Sequence, residues 1–284
     1  MGLAEAMSGL ETVAQWPVER RAAGWITIDG DATTTGDLDH QFQLASVTKL
    51  LFAMTILVAV EEGSLSYSQP AGPPGATVSH LLSHTSGLSP EGPATLDPNK
   101  LPTSAEVGAK RIYSNLGFEM LGQILEQATG IAAAEYLHEA IVAPLGLSRT
   151  ALTGSPAHGA HSTVTDLLVV TAELLKPTLI SPETLTKATT PFLGDISGVL
   201  PGYGRQDPNP WGLGIEIRGH KRPHWTGSQN SPSTFGHFGR AGTFLWVDPS
   251  AKIGCVGLAD RDFGPWAIDA WPRLSDDVLQ TSAR

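Results

Sequence analysis

One cysteine in 284 residues leaves nothing for an internal disulfide and nothing for a cysteine-based metal cluster. That residue, Cys255, sits in an apolar run and reads as a small buried hydrophobe. Basic residues are also scarce. The 18 Lys and Arg against 28 Asp and Glu give a net charge of −10, the wrong sign for nucleic acid or an anionic membrane surface. No apolar run reaches the roughly 18–20 residues that span a bilayer. The longest, Leu50–Val60, is bounded by Lys49 and by Glu61-Glu62, which marks a buried core helix and no membrane insertion. Met1–Trp16 carries acids but no basic segment, so it resembles an amphipathic helix more than a secretory leader, and the expected location is cytoplasmic. Internal repeats and low-complexity tracts are missing as well. What remains has ordinary globular composition and enough length to bury about three quarters of its unfolded surface.

Along the chain, Ala22–Asp29 reads as a strand closed at Gly30-Asp31, with Leu38–Leu44 a second strand. A helical stretch follows. Its expected helices run from Ser46 to Gly63, over Thr77–His84, Leu116–Thr129, Ala132–Val142 and Thr163 to about Leu175, and from Ser181 onward. Ser89–Pro102 is Pro-rich, irregular and placed to rim a cleft. Strand signals return at Leu213–Arg218, Thr243–Val247 and Ile253–Ala259, and Pro272–Gln280 reads as a closing helix. Terminal strands around a helical middle give an α+β fold whose antiparallel sheet takes strands from both ends of the chain. The expected organisation is one domain of two lobes: about residues 20–62 and 205–284 in a sheet lobe, and about 63–204 in a helical one. A cleft between lobes is where a ligand site belongs.

The stretch Ser46-Val-Thr-Lys49, entering the apolar helix, holds the sharpest chemistry. At i,i+3 the hydroxyl and the ammonium share one helix face, and the helix N-terminus favours an oxyanion beside Ser46. A lysine walled by apolar neighbours is pushed towards a lower pKa and can accept a proton. A helix-capping serine and a solvated first-turn lysine would spell the same four letters.

Two more stretches stand out. Tyr113-Ser114-Asn115 precedes a helix; Tyr113 is a candidate base if Lys49 favours its phenolate, and Asn115 offers both a donor and an acceptor. Taken alone, a plain turn with an N-cap is the better reading there. Phe235–Thr243 (FGHFGRAGT) is a glycine-rich strand edge suited to lining a cleft and donating a backbone N–H, or simply a hairpin carrying an ordinary histidine, His237. His80 and His84 at i,i+4 lack the glutamate and third ligand of a zinc site, so no metal is expected. His220 and His224 read as a solvated turn. The tryptophans of the C-terminal third read mainly as core, with one or two free to wall an apolar pocket.

Taken together, Ser46-Val-Thr-Lys49, Tyr113-Ser-Asn115 and His237-Phe-Gly239 resemble the three boxes of the serine beta-lactamase and penicillin-binding-protein superfamily. The tyrosine-type second box is similar to the branch of class C beta-lactamases, DD-peptidases and family VIII carboxylesterases. Leu81–Leu88, Pro144–Leu147, Ser162-Thr163 with Asp166-Leu167, and Trp211–Gly214 fit the same branch in the same order. The resemblance implies a beta-lactamase/transpeptidase-like fold and a serine hydrolase that needs no cofactor and acts on a small-molecule ester, amide or lactam. It implies Ser46 as the acylated nucleophile, Lys49 assisting, Tyr113 as general base and acid, and Asn115 orienting the substrate. The backbone N–H groups of Ser46 and Arg240, next to Gly239, would form the oxyanion hole, and His237 would occupy the third-box cation position. The departures shape the substrate. H-F-G replaces K-T-G, so a fixed cation and a hydroxyl suited to a carboxylate are both gone, which favours a neutral ester; Arg240 is the side chain able to restore a charge. Ala45 stands where many relatives carry Gly. No glutamate is placed as a deacylating base, Glu173 lying inside a helix. The competing expectation is a protein that acylates, or only binds, without turnover. The oligomeric state is left open.

Overall fold

The structure, a computed structural model, describes residues 8–92 and 100–282. Met1–Met7, the start of the expected N-terminal helix, lies outside the described residues, and Glu11–Gln15 forms a 3-10 helix. In chain order the strands are β1 (Arg21–Thr27), β2 (Ala32–Gly36), β3 (Phe42–Gln43), β4 (Ala151–Leu152), β5 (Ala160–Ser162) and β6 (Gly198–Leu200). They continue with β7 (Gly204–Gln206), β8 (Glu216–Ile217), β9 (Phe235–Gly239), β10 (Thr243–Asp248) and β11 (Ile253–Ala259). The helices are α1 (Thr48–Glu61), α2 (Val78–Leu82), α3 (Asn115–Thr129), α4 (Ala133–Leu137), α5 (Val164–Leu175), α6 (Pro182–Ala188) and α7 (Pro265–Ser282).

An antiparallel six-stranded sheet runs β2-β1-β11-β10-β9-β8, so strands from both ends of the chain interleave. Its faces can be read from the period-two alternation of side chains. Ala22, Val256 and Leu258 join the core that contains α1 and α5, whereas Ala23, Ile253 and Cys255 join the core built on Trp271 and Leu274 of α7. The fold is α+β. The helix α1 is apolar on every side because it is covered on every side: all residues from Thr48 to Ala59 are buried. The N-terminus of α3 is capped by Ser114, which accepts from Gly117 N at 3.1 Å, and its C-terminus is closed by Gly130 at φ 74°. Thr163 caps α5 by accepting from Asp166 N.

Several expected elements shift. The second strand of the sheet is the threonine run of β2, not Leu38–Leu44; only Phe42–Gln43 of that segment is a strand, paired with β5 in a separate three-stranded sheet. Leu213–Arg218 shrinks to β8, because Gly214, at φ 79°, packs against Ala53 and leaves no room for a regular strand. Ala132–Val142 splits into α4 and a π-helical turn, His138–Val142. The closing helix begins earlier, at Pro265, with Pro272 inside it. Residues 93–99 of the Pro-rich segment lie outside the described residues; Pro90 and Glu91 before them do line a cavity. No helix among the described residues is long and apolar enough to cross a membrane.

Candidate active site

The turn that carries Ser46 is clamped from two sides. Leu44 N donates to Ala160 O at 2.9 Å, and Thr48 Oγ1 accepts from Ala160 N at 3.0 Å. On the sheet side, Thr243 Oγ1 donates to Leu44 O at 2.8 Å. Gly239 at the end of β9 is why the sheet can come so close: a Cβ there would stand 2.3 Å from Leu44 O and 2.5 Å from Thr243 Oγ1. Ala45 takes the left-handed φ of 46°, a strained choice for a residue with a Cβ, and it explains why glycine suits this position. Ser46 itself lies in the 3-10 turn Ala45–Val47, which runs directly into α1 at Thr48.

From this turn, α1 carries Lys49 inward until it is fully buried. Its Nζ donates to Asn115 Oδ1 at 2.5 Å and Ala157 O at 2.8 Å, and reaches Ser46 Oγ at 3.5 Å. Burial lowers the Lys49 pKa to about 7, with the carboxylates of Glu91 and Glu119 pulling the other way. Asn115, the first residue of α3, continues the chain of bonds: its Nδ2 donates to Glu91 Oε1 at 2.6 Å.

The Tyr113 ring lies 4.8 Å under the Lys49 ammonium. Burial nevertheless pushes the phenol above its usual range, only partly countered by the Ser46 hydroxyl beside it. Lys49 therefore does not hold Tyr113 as a phenolate at rest: burial, with the Glu216 and Glu91 carboxylates, keeps its proton on. Arg111, two residues earlier, anchors this segment through backbone carbonyls, donating to Ser83 O, to Asn209 O at 2.6 Å and to Phe192 O at 2.9 Å. His84 accepts from Ser114 N at 3.2 Å and packs, tilted, with its ring centroid 4.6 Å from that of Tyr113. It serves the site as packing, and burial holds it neutral.

Ser46, Tyr113, Asn115 and His237 line one cavity of about 330 Å³, walled also by Trp211 and Phe238. His237 is buried on β9, and desolvation takes its pKa down to about 4, so a neutral ring stands where a cation would sit in a K-T-G box. Arg240 borders the same cavity from its exposed side. Its side chain is 87% exposed and lies 3.5 Å from Asp262.

Two acidic residues around this cavity escaped the sequence reading. Glu91 directly follows Pro90 in the stretch expected to rim the cleft, which was its only signal. Glu216 on β8 is buried: Oε1 accepts from Lys221 Nζ at 2.8 Å and His224 Nε2 at 2.9 Å, and Oε2 accepts from Trp225 Nε1 at 2.8 Å. Burial alone would raise this carboxyl; Lys221 and His224 hold it well below the usual carboxylate range. His224 is thus corrected from a solvated turn to a buried partner of Glu216. Glu173 lies in α5 away from the cavity, where it binds the backbone N–H groups of Thr178 and Leu179. No cluster of three or more His, Cys, Asp or Glu able to hold a metal occurs among the described residues.

The family model described as Beta-lactamase matches residues 12–279. A solved beta-lactamase from Mycobacterium bovis is 48% identical and superposes with a TM-score of 0.92, covering 97% of this chain and 100% of that one. Penicillin-binding protein 4* of Bacillus subtilis is 30% identical over 135 residues, which is 38% of this chain and 30% of the relative. Esterase EstB of Burkholderia gladioli is 30% identical over 167 residues, 45% of this chain and 42% of the relative. The chain thus spans less than half the length of these two curated relatives.

Proposed function

The chain belongs to the beta-lactamase family, and from that premise we propose a serine hydrolase that acts on small esters or amides through an acyl-Ser46 intermediate. The observation that carries the reading is the buried Lys49 amine, 3.5 Å from Ser46 Oγ and with a pKa brought to about 7. At neutral pH a large fraction of that amine is unprotonated and able to take the Ser46 proton. Oγ then bonds to the acyl carbon, and the carbonyl electron pair moves onto oxygen, where the backbone N–H groups of Ser46 and Arg240 would hold it. Tyr113 keeps its proton at rest, which suits it to protonate the departing alkoxide and to be reprotonated from Lys49. Water then attacks the acyl carbon and releases Ser46. Asn115 holds Lys49 on one side and, through Glu91, the cavity mouth on the other. A neutral His237, a Phe238 without a hydroxyl and an outward Arg240 favour esters without a carboxylate over beta-lactams or peptide termini.

Intact-mass spectrometry of the protein quenched during turnover of p-nitrophenyl butyrate tests the intermediate. The expected result is a gain of one butyryl group on the peptide containing Ser46, with p-nitrophenol released catalytically. Release without any adduct, or an adduct elsewhere, would overturn the reading. An adduct that persists without further release would mark a protein that acylates but does not turn over.

The base makes its own prediction. Lys49 works deprotonated, so kcat/KM should fall as pH drops through about 7. Glu91 favours the ammonium form, so Glu91→Gln, which keeps an acceptor for Asn115 but removes the charge, should move that limb to lower pH. A flat profile from pH 6 to 8 would rule out Lys49 as the base.

A further inference from the structure

His237 uses one ring nitrogen and leaves the other idle. Nδ1 lies 2.7 Å from Phe238 O, and a carbonyl oxygen only accepts, so Nδ1 carries the proton and Nε2 presents a bare lone pair. Nε2 is buried and has no hydrogen-bond partner among the described residues, although the ring forms part of the cavity wall that includes Ser46. Tyr113 does not satisfy it. The two rings stand 5.8 Å apart, and no hydrogen bond joins them among the described residues. A buried acceptor left unpaired carries the full cost of its desolvation, a cost that a ligand removes by supplying the donor.

The charges around the cavity agree. Glu91 presents a carboxylate at the mouth, with one oxygen taken by Asn115. Glu216 is already saturated by Lys221, His224 and Trp225. The guanidinium of Arg240 is turned to solvent and Asp262. The cavity is rich in acceptors, and Lys49 spends its own donors on Asn115 and Ala157.

We infer that this cavity selects substrates that carry a hydrogen-bond donor, a hydroxyl or an amide N–H, which His237 Nε2 accepts, and that it discriminates against a carboxylate at the same place. The inference rests on the acyl-Ser46 reading and adds to it the polarity of the group beside the scissile bond. A carboxylate there would face a lone pair and the Glu91 charge, while the Arg240 guanidinium, which also borders the cavity, is drawn towards Asp262.

The test compares kcat/KM for three p-nitrophenyl esters of similar size: the butyrate, the 3-hydroxybutyrate and the hydrogen succinate. The native protein should prefer the hydroxy ester over the butyrate by roughly tenfold to a hundredfold, with the succinate slowest. In His237→Leu that preference should collapse towards one. His237→Gln, which keeps an acceptor, should retain part of it, and His237→Lys should turn it towards the succinate. Each ratio is internal to one variant, so incomplete folding does not distort it. A native ratio near one, or an equal slowing of all three esters in His237→Leu, would overturn the inference; the second outcome would show that the ring serves Tyr113 and not the substrate. If no ester leaves an adduct on Ser46, the acyl-enzyme reading itself fails. If the adduct forms but the ratios do not follow, only the donor preference fails.

Discussion

Ser46→Ala should lower kcat for p-nitrophenyl butyrate by on the order of 10⁴–10⁶, down to the background set by binding and the remaining dipoles. The side chain is half-buried and holds Lys49 by a 3.5 Å contact, so the free energy of unfolding should stay within about 0.5 kcal/mol of the native value. Lys49→Ala should cost a comparable factor, and the double variant little more than either, because the two residues act on one proton. Lys49 differs from Ser46 in its structural reach. It also ties Asn115 to Ala157, so its removal should loosen the junction between α1, α3 and the segment before β5. Steady-state kinetics, intact mass and urea unfolding on the same preparations separate these effects. Ester turnover that survives in Ser46→Ala, above the rate of the heat-denatured protein, would remove Ser46 from the chemistry altogether.

The second large effect falls on stability. Glu216→Gln leaves the Lys221 ammonium buried with its counter-charge gone, since both side chains are almost wholly inaccessible. Breaking such a pair from one side costs about 3–5 kcal/mol. In a chain of this size that lowers Tm by roughly 6–15 °C. Removing both charges, in Glu216→Gln with Lys221→Met, should recover most of the loss, because the cost comes from the orphaned ion more than from the lost attraction. The pH dependence has a definite sign. The folded-state pKa of Glu216 is depressed, so its contribution is present above the unfolded carboxylate value of about 4.3 and disappears as pH falls towards the folded one. The native protein should therefore lose more stability than Glu216→Gln on going from pH 5 to pH 3. A single variant within 1 kcal/mol of native would show that the cluster is not paired as described. Glu216 pairs in register with Gly236, the neighbour of His237, so a weakened cluster should also blur substrate preference before the fold is lost.

What the sequence made legible was mostly local. Ser46 and Lys49 share a helix face through a spacing of three, Asn115 begins a helix whose cap is Ser114, and Thr163 announces α5 three residues before Asp166. Each depends on neighbours within one turn. The same holds for α1, whose unbroken apolar run could only be a helix covered on all sides. What was hidden depends on distant chain. Glu216 fell in an expected strand and His224 in an expected solvated turn, and no local pattern says that Trp225 and the β9 strand close over them. Glu91 could be placed at a cleft but not against Asn115, 24 residues away. The sequence put Lys49 near Tyr113 but could not show how deeply the phenol is buried, which decides the direction of its shift. β2 was missed because three consecutive threonines on an edge strand show little hydrophobic alternation, whereas Leu38–Leu44 shows more and is mostly loop.

The interleaved order of the sheet has a kinetic consequence. β1 pairs with β11, from Arg21 opposite Ala259 to Thr27 opposite Ile253, and the turn holding Ser46 is tied to Thr243 across 199 residues. Contacts this far apart in the chain form late, because the intervening loop must be closed before any of them yields a return. The helices between can assemble early without creating a reactive serine. On the acyl-Ser46 reading, competence to react with an ester should be acquired late in folding, when the two ends of the sheet zip together. The rate at which a refolding population becomes open to acylation measures that closure, and a partly folded chain remains chemically silent.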